Sequence, residues 1–199
     1  MNDTTYLDSV VLHSPLRTFP QTLEAWRTLE SYIPSGTIRH LGISNVTLPV
    51  LKALHDAAST KPAVVQNRFH RPTSYDVPLR RFCRANGIVY QSFWTLTGNP
   101  TLLKHTSVVR LAGHAGISKE SALYALVLAM EGTTVLNGTT SHMVEDLAAL
   151  EAARKWASAE ENAYECKDII KHFRDAIGEN DDQDMPEENA TVKIKYGDR

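Results

Sequence analysis

Cysteine is scarce in this chain. Two residues in 199, Cys83 and Cys166, leave no disulfide scaffold and no cysteine-rich zinc module. No apolar run approaches the roughly 20 residues that a membrane helix needs, so a membrane role is not expected. Excess charge is missing too. Lys and Arg number 21 against 23 Asp and Glu, a net charge of -2, and nothing in that balance points to nucleic acid. The eight histidines form no HExxH or HxH pair, which argues against a metal site. The motifs GxGxxG, GxxxxGK[ST] and GxSxG are all absent. Residues Met1 to Tyr6 are polar and unlike a secretion signal, so a cytoplasmic protein is expected. On that expectation the sequons Asn45-Val46-Thr47, Asn137-Gly138-Thr139 and Asn189-Ala190-Thr191 are chance matches.

What is present is an alternation of short β-branched runs with amphipathic stretches. Hydrophobic residues make up 42% of the chain, enough for a real core. Strands are predicted over 6–13, 38–43, 63–66, 88–93 and 133–136. Between and after them fall helices predicted over 21–33, 76–85, 101–112, 118–130 and 141–155, with another opened by Thr47. Pro20 suits a first turn, Thr47 and Ser118 suit N-caps, and Asn86-Gly87 suits a stop. A loop is expected at 113–116. Strand-helix alternation argues for a parallel sheet covered by helices. His13-Ser14-Pro15 follows the first strand where a dinucleotide-binding Rossmann unit would carry glycines, which leaves part of a (βα)₈ barrel as the stronger reading. A helix is predicted over 157–177, and the acidic stretch after it has the composition of a disordered tail. Val192 to Tyr196 alternates like a strand.

In parallel sheets, ligand sites form at the carboxyl ends of the strands. Those ends read His13, Ser44-Asn45, Gln66, Phe93-Trp94 and Asn137 to Ser141. Amides can read a carboxamide, and a ring can stack on a planar ligand. Each residue also has a plain structural role open to it. His13 can be a turn histidine, Ser44-Asn45 a capping pair, Gln66 a partner for a backbone group, and Phe93 core. Residues 139–141 can simply cap the next helix. His70 suits a structural role, and Cys83 suits core better than nucleophile.

Taken in order, these segments resemble the aldo-keto reductase family. Tyr6-Leu7-Asp8-Ser9-Val10-Val11-Leu12-His13-Ser14-Pro15 is similar to that family's fourth strand, which ends in a catalytic histidine. Gly36 to Asn45 resembles the fifth strand with its carboxamide-holding Ser-Asn pair. Pro62 to His70 resembles the sixth, with Gln66 at another carboxamide-binding position. Gly87 to Phe93 resembles the seventh, Phe93 standing where a Tyr usually stacks on nicotinamide. The resemblance implies a partial TIM-type barrel of about five parallel βα units over 1–155, a C-terminal helix packed on it over 156–178, and an acidic tail over 179–199. It implies NADPH or NADH as cofactor, a small-molecule carbonyl substrate, His13 as the catalytic residue, and Ser44, Asn45, Gln66, Phe93, Leu96, Thr139 and Asp146 as cofactor-binding residues.

The departures carry expectations of their own. The family's acid Tyr, its Lys partner and its Asp belong to the first three βα units and have no counterpart here, so carbonyl reduction is expected to be impaired. At the family's eighth strand, Leu136-Asn137-Gly138-Thr139 stands where Pro-Lys-Ser is common. His142 and Asp146 fall near the Arg and Asn that follow, so a 2′-phosphate gains little. Open barrel edges invite a second copy or another protein. Two other readings remain: a cofactor-independent acid/base enzyme using His13 (isomerase, dehydratase or cyclase), and a non-catalytic binding module.

Overall fold

A computed structural model describes residues 4–138 and 141–179. Five strands hydrogen-bond in chain order: β1 (Leu7–Leu12), β2 (Ile38–Ser44), β3 (Val64–Arg68), β4 (Val89–Phe93) and β5 (Thr133–Val135). Helices separate them, so the fold is α/β with a parallel, open sheet, as the alternation predicts. The described chain divides into two compact units. The first contains 4–67 and 78–91, the second 68–77, 92–138 and 141–179.

In the first unit β1 and β2 run parallel with Leu7 opposite Ile38 and Leu12 opposite Ile43. Strand β2 continues onto β3 with Ser44 opposite Gln66. Gly42 lies at the tight point of that pairing. A Cβ there would stand 2.8 Å from the Val64 carbonyl oxygen and 3.0 Å from Val64 Cβ. Helix α1 (Phe19–Glu30) starts at a capping box in which Thr18 and Gln21 satisfy each other's backbone, with Pro20 in the first turn. That box sets the start earlier than the apolar spacing alone suggests. Trp26 on α1 is fully buried, and its Nε1 donates to the Thr60 carbonyl at 3.1 Å. Helix α2 (Leu48–Ala57) follows Thr47 and buries Val50, Leu51 and Leu54, although Thr47 makes no side-chain cap. Helix α3 (Val77–Ala85) buries Cys83, confirming its core placement, and stops at Gly87, whose φ is 67°.

The second unit is built on helix packing. Helix α4 (Thr106–Ala115) packs against α5 (Lys119–Leu128) and α7 (Ala163–Ala176), and α5 packs against α6 (Met143–Ala157). The helix expected over 101–112 is split. A 3₁₀ turn covers Leu102–Lys104, and extended His105 restarts the chain, its ring accepting from Ser107 N. The loop expected at 113–116 shrinks to Gly116, whose left-handed φ of 66° ends α4. Similarly, α6 continues to Ala157, and the single helix expected over 157–177 becomes a 3₁₀ turn (Glu160–Asn162) and then α7. Ala122, Leu123, Tyr124, Leu126 and Val127 of α5 are all buried, the pattern of a helix surrounded by protein. Ile169 and Phe173 anchor α7. Glu179, expected at the start of the tail, is 3% exposed and bonded through its N–H to the Arg174 carbonyl. The rest of the expected tail and the strand-like run over 192–196 lie outside the described residues.

An ionic cluster ties α4 to α7. The Arg110 guanidinium lies 2.8 Å from Glu165 and 2.7 Å from Asp168. The His114 ring meets Glu165 at 2.9 Å and stacks on Trp156, centroids 5.2 Å apart. Hydrogen bonds from Arg110 hold both carboxyls below the usual carboxylate range.

Candidate functional site

Parallel pairing carries the carboxyl ends of β1, β2 and β3 to one rim of the first unit. There the polar residues join. Ser44 Oγ donates to the Gln66 carbonyl at 2.6 Å, and Asn45 N–H donates to the same oxygen at 3.1 Å. Asn45 Nδ2 donates to Ser44 Oγ at 3.1 Å and to the His13 carbonyl at 2.9 Å. Gln66 Nε2 donates to Gln91 Oε1 at 3.2 Å. Four of the predicted residues, His13, Ser44, Asn45 and Gln66, thus form one hydrogen-bonded cluster.

Asn45 owes its position to an unusual backbone. Its φ is 51°, a left-handed conformation that asparagine tolerates better than most residues. Asn67 holds the turn in place: its Oδ1 accepts from Val46 N–H at 3.0 Å and its Nδ2 donates to the Val46 carbonyl at 2.8 Å. Thr47, not the Ser44-Asn45 pair, is the N-cap of α2, so that structural role falls away. Gln66 spends its side chain on another amide instead of a backbone group. Gln91 belongs to this cluster, a role that sequence reasoning passed over. The signal was its parity with Phe93 on β4, two residues apart on the same strand face.

The cluster keeps capacity for a ligand. After the contacts above, Asn45 Oδ1, Gln66 Oε1 and Gln91 Nε2 have no protein partner among the described residues. Two acceptors and a donor match the NH₂ and C=O of a carboxamide. The His13 side chain is exposed and its ring is likewise uncommitted.

Three further predicted residues, Phe93, Leu96 and Asp146, lie in the second unit and behave differently. Phe93 ends β4 half-buried, edge-on to Trp94 with centroids 6.4 Å apart. Leu96 is half-buried in the turn that follows, where its carbonyl accepts from Asn99 N–H. Both carboxylate oxygens of Asp146 are engaged. One accepts from Ser121 Oγ at 3.0 Å and the other from Asn137 Nδ2 at 2.7 Å. Tyr124 OH donates to Asn137 Oδ1, and burial, with Asp146 second, raises its phenol above the usual range. Asp146 therefore fastens the first turn of α6 to α5, where a negative charge also suits the helix dipole. Thr139 lies outside the described residues. His70 bonds to Thr73 Oγ1 at 3.2 Å within its own turn.

A model of the aldo/keto reductase family matches residues 1–161. The chain belongs to the aldo/keto reductase family. Among curated relatives it is 32% identical over 99 residues to an NAD/NADP-dependent indole-3-acetaldehyde reductase of Schizosaccharomyces pombe, covering 47% of this chain and 34% of that protein. It is 29% identical over 145 residues to an uncharacterized oxidoreductase of Bacillus subtilis, covering 73% and 50%. The chain thus spans a third to a half of the length of these curated relatives. An aldo/keto reductase from Klebsiella pneumoniae, solved with NADP and acetate, superposes with a TM-score of 0.59 at 25% identity, over 77% of this chain and 59% of that one. The described residues include no helix long and apolar enough to cross a membrane.

Proposed function

We propose that this chain binds the nicotinamide end of NADH or NADPH and serves NAD(P)H-dependent carbonyl reduction. The observation that carries the reading is the amide cluster at the β1–β3 rim. Its unspent acceptors and donor fit a carboxamide, and the left-handed Asn45 is held in place for that contact by Asn67. In this reading the segment corresponds to the family from its fourth strand onward. Ser44, Asn45 and Gln66 orient the carboxamide. The dinucleotide supplies the hydride. The carbonyl oxygen then needs a proton, and the His13 imidazole is the group here that can deliver one.

The same correspondence leaves the family's Tyr, Lys and Asp outside these 199 residues. General acid-base catalysis is typically worth 10²–10⁴-fold, so the isolated chain is expected to reduce simple aldehydes poorly. A second copy or another protein along β1 or β5, each paired on one side in the described sheet, would complete the rim. With Asp146 already committed and no cation at Gly138, the 2′-phosphate adds little, and NADH and NADPH should bind alike.

Calorimetric titration of the chain with NADH and NADPH, repeated with Gln66→Met, tests the reading. Saturable binding of both, weakened at least about tenfold by the substitution, is expected. Affinity that Gln66→Met leaves unchanged would remove the cluster from the site.

A further inference from the structure

Among the described residues, the second unit holds a cation with no counter-charge. Arg68 is the last residue of β3, and its guanidinium carbon lies 4.7 Å from the Trp94 ring centroid and 5.7 Å from that of Phe93. Both distances are within cation–π range. Its Nε is buried without a hydrogen-bond partner, and no carboxylate among the described residues pairs with it. A guanidinium has five N–H donors in a planar fork. Aromatic faces satisfy its charge but none of those donors. Leaving a desolvated donor unmade is costly, so such a group invites an acceptor from outside the chain.

The surroundings hold this arrangement firmly. Phe69 N–H donates to the Phe93 carbonyl at 3.0 Å, fixing the residue after Arg68 against the residue before Trp94. Asn99 Nδ2 donates to the carbonyls of Phe69 and Thr95, and the hydroxyls of Ser92 and Thr95 meet at 2.9 Å in the interior. Gly98 N–H closes the turn onto the Trp94 carbonyl at 2.8 Å, where a Cβ on residue 98 would clash. Trp94 itself takes a φ of 57° and is 54% exposed. A strained, exposed indole clamped beside an unpaired arginine is a preorganised surface, and strain of this kind concentrates at ligand sites.

We infer that Arg68, backed by the Phe93 and Trp94 rings, anchors an oxyanion group of the ligand, and that this group is a carboxylate carried by the carbonyl substrate. Phosphates of a dinucleotide share the chemistry. The carboxylate is favoured because its plane can lie against the planar fork while the body of the acid stacks on the exposed Trp94 ring; that the acid is a carbonyl substrate rests on the proposed function. A planar fork facing a planar carboxylate gives two parallel hydrogen bonds. Arg68 then selects oxo acids over neutral aldehydes, and it acts by binding.

The test compares 4-carboxybenzaldehyde with methyl 4-formylbenzoate, titrated calorimetrically into the 199-residue chain without dinucleotide. The same titrations are run on Arg68→Met and Arg68→Lys, with circular dichroism confirming the fold of each. The acid should bind at least about tenfold tighter than the ester, as one charge-assisted hydrogen bond provides. Arg68→Met should bring that ratio to about one and leave ester affinity in place, while Arg68→Lys keeps part of the preference. Equal affinity in the parent chain, or a preference that survives Arg68→Met, overturns the inference. A further arm titrates NADPH and inorganic pyrophosphate into both proteins. If Arg68→Met weakens these and leaves the acid-to-ester ratio unchanged, the carboxylate assignment is wrong and the anion is phosphate. Since the ratio is read without dinucleotide, a failure of cofactor binding overturns the proposed function and leaves the anion site standing.

Discussion

The two units satisfy their polar groups by opposite means. At the rim of the first, neutral amides bond to one another and to strand-end carbonyls, and the His13 ring makes no bond within the cluster. Between α4 and α7 of the second, full charges pair, Arg110 with Glu165 and Asp168, and the His114 ring bonds Glu165. A neutral amide cluster keeps its geometry across pH and retains donors and acceptors for a ligand. An ion cluster spends its charges on each other and answers to acid. On the proposed function, the amide rim of the first serves recognition, and the ion cluster of the second holds α4 to α7.

The largest effect should come from the cores beneath. Trp26→Ala removes a fully buried indole and its bond to Thr60 and should cost about 3–5 kcal/mol of unfolding free energy. Denaturant titration would read this, and a loss under about 1 kcal/mol would mean the indole is not packed as described. At Asn45, comparing two substitutions separates strain from bonding. Asn45→Gly loses the side-chain bonds but tolerates a φ of 51°, whereas Asn45→Ala loses both advantages. The alanine variant should be less stable by a further ~1–2 kcal/mol, and equal stabilities would remove the strain argument. Thr18→Ala breaks the capping box of α1, and a loss of about 1 kcal/mol is expected.

Acid gives the smallest effect and the sharpest contrast. Glu165 and Asp168 have carboxyls lowered chiefly by hydrogen bonds from Arg110. Unfolding returns them to about 4. Their contribution is therefore complete above that value and is lost as pH falls through the lower folded values. Thermal melts between pH 7 and 2.5 should show stability falling at the acid end, and Arg110→Met should flatten that fall. A slope unchanged by Arg110→Met would deny the cluster its part.

Much of the first unit was legible in the sequence, because β-branched runs and helical spacing report burial directly. β2 and β4 lie within a residue of their expected bounds, and the His13, Ser44-Asn45 and Gln66 strand ends do converge. Helix boundaries in the second unit were less legible. His105 and the 3₁₀ turn at Glu160–Asn162 break helices at positions with no Gly or Pro to announce it, since the breaks come from capping and packing. The bonds of Asp146 were hidden by the same difficulty. Its neighbours Ser121 and Asn137 are 25 and 9 residues away in sequence, and only the packing of α6 on α5 brings the first of them near. Gln91 had only its strand parity with Phe93 to mark it, and Arg68 gains meaning only from rings on another segment.

The central claim is that this chain holds the nicotinamide half of a dinucleotide. Titrating reduced nicotinamide mononucleotide and, separately, adenosine 2′,5′-bisphosphate into the same protein tests it most directly. The mononucleotide should saturate the chain with most of the affinity of intact NADPH and lose it in Gln66→Met, while the bisphosphate binds barely. Tight binding of the bisphosphate with no measurable binding of the mononucleotide would contradict the account.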